Sequence, residues 1–104
     1  MRCLLKAEMT VETANAAAKN GTLPKTIKSI LDDLKPEASY FTTSNGKRTA
    51  YIIFDLKDAS QIPAVAEPWF LAFNASIEIL PVMVVDDLAK AGAGIKQAVK
   101  KYGG

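Results

Sequence analysis

The stretch SYFTTSNGKRTAYIIFDL, Ser39 to Leu56, decides the fold. At its centre stands Asn45-Gly46. This pair accepts the left-handed backbone at both central positions of a two-residue hairpin turn. The flanks are rich in β-branched and aromatic residues, which suit a pleated strand. A two-residue turn fixes the register: Ser44 lies opposite Lys47, Thr42 opposite Thr49 and Tyr40 opposite Tyr51. The faces then separate. One carries Phe41, Ala50, Ile52 and Phe54, and the other carries Tyr40, Thr42, Thr49, Tyr51, Ile53 and Asp55. A slip of one residue, or a bulged three-residue turn, would mix the two sets. The second and third strands are therefore expected at Glu37–Ser44 and Lys47–Leu56.

Upstream, Cys3 to Glu8 reads as the first strand. Thr10 is placed to cap a helix that stops at Asn20-Gly21, where glycine tolerates a left-handed residue. Thr22 is expected to cap a second helical segment, with Pro24 in its first turn. Leu23, Ile27, Ile30, Leu31 and Leu34 recur at helical spacing and form its apolar face. Pro36 ends it.

Downstream, Asp58 or Ser60 opens the next helix. Ile62, Val65, Ala66, Trp69 and Phe73 make its apolar stripe. Trp69 and Phe73 should press onto Ile52, Phe54, Ile77 and Ile79, while Phe70 falls off the stripe. Pro68 lacks an N–H and should bend the helix or start a new one. Asn74 is the stop, and Ala75 to Val82 is the fourth strand. A helical tail at about 86–102 follows, weakened by Gly92 and Gly94, with KQAVKKYGG fraying at its end. The order is βαββαβ plus a C-terminal helix. A hairpin between two helical crossovers builds an antiparallel sheet in the order 4-1-3-2, with both helices on one face. The expected class is α+β, ferredoxin-like, in a single domain over residues 1–104.

Composition narrows the chemistry. With 104 residues, 49% of them hydrophobic, the chain fills one core without staples. Its net charge of +2 is mild and points to neither nucleic acid nor membrane. No apolar run approaches the ~18 residues of a membrane span, and MRCLLKAEMT does not read as a signal peptide. With no histidine and one cysteine, the chain cannot build a Ser-His-Asp or Cys-His site or a His-ligated metal. No cofactor and no metal are expected. The lone Cys3 cannot close an internal disulfide and suits a reducing, cytoplasmic setting. Any chemistry must come from Lys, Tyr, Asp, Glu, Cys3 or backbone groups.

The sheet face away from the helices carries the candidate site. It presents Leu4, Lys6 and Glu8, then Tyr40, Tyr51, Ile53, Glu78 and Leu80. Lys6 and Glu78 lie on neighbouring strands and are expected to pair. So large an apolar share on an open sheet favours a cover, and a second copy of the chain is the expected one. Glu78, Tyr51 and Lys6 are the candidates for acid–base work. Tyr40, Tyr51, Glu78 and Trp69 are the candidates for touching a ligand. Two classes stay open: a small-molecule binder or cofactor-free enzyme with its site between the sheets, and a structural or interaction protein whose interior is filled.

The segments LPKTIKSILDDLKPEASYF, NGKRTAYIIFDLKDASQIPAVAEPWFLAFN and PVMVVDDLAKAG carry a resemblance. Over nearly the whole chain to about Gly92, the sequence resembles a family of small bacterial proteins in the dimeric α+β barrel superfamily. The resemblance implies two sheets packed face to face in a homodimer, and it implies no particular activity. A weaker likeness lies in KRTAYIIF on the third strand, where RNA-recognition domains carry a basic and aromatic motif. Lys47, Ala50, Tyr51, Ile52 and Phe54 fit that motif. Arg48 replaces its glycine and Thr49 an aromatic, and Glu8, Asp55 and Glu78 would face phosphates. RNA is the least favoured partner.

Overall fold

Asn45 and Gly46 take φ angles of 55° and 73°, the conformation a two-residue hairpin turn demands. The computed structural model describes residues 1–104. Its elements run β1 (Arg2–Glu8), α1 (Val11–Lys19), α2 (Thr22–Leu34), β2 (Ala38–Ser44), β3 (Lys47–Asp55), a 3-10 turn (Ala59–Gln61), α3 (Ile62–Phe73), β4 (Ser76–Pro81), α4 (Val85–Lys90) and α5 (Gly92–Tyr102). The hairpin pairs Tyr40 with Tyr51, Thr42 with Thr49 and Ser44 with Lys47, as the turn requires. The four strands form one antiparallel sheet in the order β2-β3-β1-β4, the expected order read from the other edge.

The core lies between the sheet and the helices. Leu5, Ala7, Ala50, Ile52 and Phe54 point from β1 and β3 toward Ile30 of α2 and Val65, Trp69 and Phe73 of α3. Trp69 and Phe73 sit one helical turn apart with ring centroids 5.9 Å apart. Each fully buried aliphatic or aromatic side chain here contributes about 1.5–3 kcal/mol of transfer free energy. Met9, just beyond β1, joins this core, and Cys3 is a buried apolar residue within it.

Local signals explain most boundaries. Gly21 (φ 79°), Lys35 (φ 50°) and Asn74 (φ 48°) are left-handed residues where α1, α2 and α3 meet their loops. Asp58 opens the α3 region through a capping box. Its carboxylate accepts the Ser60 N–H, and the Gln61 side chain accepts the Asp58 N–H.

Several expectations need correction. Thr10 does not cap α1 with its side chain, because its hydroxyl donates to the Phe73 carbonyl and ties the start of α1 to the end of α3. Thr22 is the first residue of α2, and its N–H and hydroxyl both donate to Asn20. Pro68 starts no new helix. α3 runs through it, since the loss of one N–H is tolerated where neighbouring turns pack on the sheet. Phe41 is half exposed rather than core, because β2 is an edge strand beyond the helix layer. Ile62 is exposed at the first turn of α3. The C-terminal tail forms two helices meeting at Ala91, and KQAVKKY stays helical to Tyr102.

The tail is an arm. From Ala93 onward every residue is exposed. The molecule is correspondingly long, 58 Å against 27 and 21 Å. Residues 1–81 carry nine Lys or Arg and nine Asp or Glu, whereas residues 82–104 carry four Lys and two Asp. The whole net charge therefore resides in the arm.

Candidate functional site

Strand register organises the open face into rows that cross the sheet. Tyr40 of β2 faces Tyr51 of β3, Tyr51 faces Lys6 of β1, and Lys6 faces Glu78 of β4. Four of the five residues singled out in the sequence thus form a single transverse line. On one side of it lies an apolar row, Ala38, Ile53, Leu4 and Leu80. On the other lies a polar row, Thr42, Thr49, Glu8 and Ser76. The period-2 geometry of strands makes these rows inevitable once the hairpin register is fixed.

The charges of the face do not pair as expected. Lys6 and Glu78 are direct neighbours across β1 and β4, yet Lys6 Nζ lies 3.0 Å from Glu8 Oε1 on its own strand. Asn45 Nδ2 donates to the same oxygen at 2.8 Å. Glu8 is the more buried partner, with a side chain 13% exposed against 22% for Lys6. A carboxylate withdrawn from water gains most from converging donors, which is why both donors turn to it. Lys6 and then Asn45 hold the Glu8 carboxyl below its ordinary range, against the opposing pull of burial. The bond to Glu8 raises Lys6 in turn. The Lys6 ammonium also stands 5.8 Å from the centre of the Tyr51 ring, within cation–π range.

Glu78 is left exposed, with no ion pair. Tyr40 is also exposed, and Tyr51 is partly covered. Thr49, at the centre of the polar row, is buried and donates its hydroxyl to the Lys47 carbonyl at 3.1 Å. Trp69 lies apart from this group. It is fully buried on the opposite side of the sheet, and its indole N–H has no acceptor. Asn45, which the sequence marked only as a turn residue, belongs to the charged network. The signal lay in the register, since the hairpin tip ends beside the polar row.

A wide concavity lies elsewhere, between α2 and α3 on the helix layer. It measures about 1020 Å³, with Ile30 and Val65 on its floor and Leu71 on its rim. The polar groups along it, including Lys25, Asp33 and Lys57, converge on no common point, and Asp55 there is engaged by the Met1 ammonium at 2.7 Å. Arg48, one of the two basic residues of the KRTAYIIF stretch, donates to Asn15 of α1 at 2.8 Å.

Sheet order and helical crossovers together define a small ferredoxin-like α+β domain. The family model described as "Domain of unknown function (DUF3303)" matches residues 4–96, so the chain belongs to that family. The match takes in β1 from Leu4, all of β2 to β4, α1 to α4 and the start of α5. No curated protein matches the chain. No helix is long and apolar enough to cross a membrane.

Proposed function

We propose that the protein acts as a homodimer whose open sheet faces enclose a small-molecule site along the Tyr40–Tyr51–Lys6–Glu78 row. The observation that carries this reading is the unpaired Glu78 beside a lysine already committed to Glu8. Covering the face would take Glu78 out of water. A carboxylate in that position needs a donor, and a bound molecule can supply it. The two tyrosine rings offer flat apolar surface and hydroxyls. The favoured ligand is therefore small, partly planar, and bears an ammonium or hydroxyl group toward Glu78. Any turnover at this row would use Glu78 as base, with Lys6 and Tyr51 steadying negative charge, and would need no cofactor.

A second reading has its own support. The Lys6–Glu8–Asn45 network satisfies itself, as a filled, purely structural interface would require. RNA fits less well, because Arg48 is tied to α1 and the open face presents Glu8 and Glu78.

The test is native mass spectrometry of the purified dimer, followed by a thermal-shift screen of metabolites. Retention of a small molecule that Glu78→Gln abolishes, with the unliganded melting temperature unchanged, supports the site. A dimer that retains nothing and responds to nothing supports the filled interface.

A further inference from the structure

We infer that Glu8 is a positioning residue: by holding Lys6 it keeps Glu78 open, and the row thereby selects an organic ammonium, an amine on a flat or alkyl body. This rests on the covered site proposed above.

The geometry comes first. Lys6 stands between two carboxylates. Glu78 is its direct partner across the β1–β4 ladder, where side chains start only about 5 Å apart. Glu8 lies two residues along β1, on the same face. Nothing in the backbone keeps Lys6 from Glu78, yet its ammonium is 3.0 Å from Glu8 Oε1. The acceptor is itself fixed, since Asn45 Nδ2 reaches the same oxygen at 2.8 Å from the hairpin tip. A carboxylate withdrawn from water does not give up a charged donor readily.

The consequence is a charge left over. Lys6 and Glu8 cancel, and Glu78 has no ion pair. Glu78 therefore carries the one uncompensated charge of the Tyr40–Tyr51–Lys6–Glu78 row. Covering the face removes its water. A ligand hydroxyl would satisfy a lone pair of Glu78 and leave the negative charge buried, whereas an ammonium answers both needs. An incoming carboxylate or phosphate would meet Glu78 and find Lys6 already engaged.

The apolar row sets the rest of the molecule. Leu80 shares the open face of β4 with Glu78, and it is exposed. Leu80 lies opposite Leu4, and Leu4 opposite Ile53. An amine docked on Glu78 can lay its body on these three residues beside the Tyr51 ring. Glu8 need touch no part of it. Its effect runs through Lys6, because without the Glu8 charge the ammonium would turn to Glu78 and close the acceptor.

The test measures binding of phenethylamine, phenethyl alcohol and phenylacetate to the full-length dimer by calorimetry at neutral pH. Wild type should bind the amine roughly tenfold more tightly than the other two, the ratio expected when a hydrogen bond becomes charge-assisted. Glu78→Gln should remove the preference. Glu8→Gln should weaken amine binding by a similar factor. Lys6→Met added to Glu8→Gln should restore it, because no ammonium is then left to occupy Glu78. That rescue separates action through Lys6 from damage to the strand, which a second substitution would only worsen. Preference for the alcohol or for phenylacetate overturns the amine. Glu8→Gln without effect, or an effect that Lys6→Met does not reverse, overturns the positioning role of Glu8. The covered site survives either result so long as Glu78→Gln abolishes the binding seen. A dimer that binds none of the three probes overturns the inference in favour of the filled interface, and a monomeric wild type removes the covered site beneath it.

Discussion

Lys6 faces Glu78 directly across the β1–β4 ladder but gives its ammonium to Glu8, 3.0 Å away on the same strand. This choice sets the pH behaviour of the face. The Glu8 carboxyl is lowered in the folded protein, by Lys6 first and Asn45 second. Its contribution to stability is therefore present above the ordinary carboxylate pKa of about 4.3 and is lost as pH falls through the lowered folded value. Lys6 is raised, so its contribution holds below about 10.4 and is lost as pH rises through the raised folded value. Glu8→Gln should flatten the dependence of melting temperature on pH below about 5, where the unfolded carboxyl begins to take up its proton. Identical slopes for the two proteins would show that the network does not couple to folding.

Gly46 holds the hairpin at φ 73°, and a Cβ there would meet no atom within 4 Å. The cost of Gly46→Ala is thus backbone strain alone, expected at about 1–2 kcal/mol. Urea denaturation measures it. A loss under about 0.3 kcal/mol would mean that the turn relaxes without effort and that strand pairing alone fixes the register.

Trp69 is fully buried with its indole N–H unpaired. Trp69→Phe removes that donor along with some volume, and the two effects oppose each other. The expected loss is below about 2 kcal/mol, against about 3–5 kcal/mol for Trp69→Ala. Equal losses in calorimetry would indicate that the N–H is satisfied, for instance by an internal water.

Tyr51 lies at the middle of the face proposed to be covered. Tyr51→Lys would bury an unmatched cation next to Lys6, so self-association should fall at least tenfold, measured by sedimentation or light scattering at micromolar concentration. The monomer fold should survive, because Tyr51 points away from the core. Unchanged association would place the interface elsewhere.

Much of this architecture was legible because two strong local signals agreed. Asn45-Gly46 fixed one register, and that register sorted β3 into Ala50, Ile52 and Phe54 against Thr49, Tyr51 and Ile53. From there alternation placed Lys6 and Glu78 in line with the tyrosines, a relation that backbone pairing alone determines. Side-chain choices were harder to read. Lys6 has acidic neighbours both along and across its strand, and alternation does not say that it takes Glu8, the more buried of the two, rather than the exposed Glu78. Phe41 alternates like a core residue, but periodicity carries no information about where the helix layer ends. Pro68 looked like a break because propensity weighs the missing N–H and the clash, whereas packing of Val65, Trp69 and Phe73 on the sheet holds α3 together across it.

The partition of charge between body and arm has a colloidal consequence. Residues 1–81 balance nine cationic against nine anionic side chains, so at neutral pH this part has no electrostatic repulsion from its own kind. What keeps the particles apart in dilute buffer is the excess of lysine in residues 82–104. A protease cut in the Val82–Val84 connection would leave an isoelectric remnant with its sheet face still bare. Such a remnant should precipitate at neutral pH and redissolve as the pH moves away from neutrality in either direction.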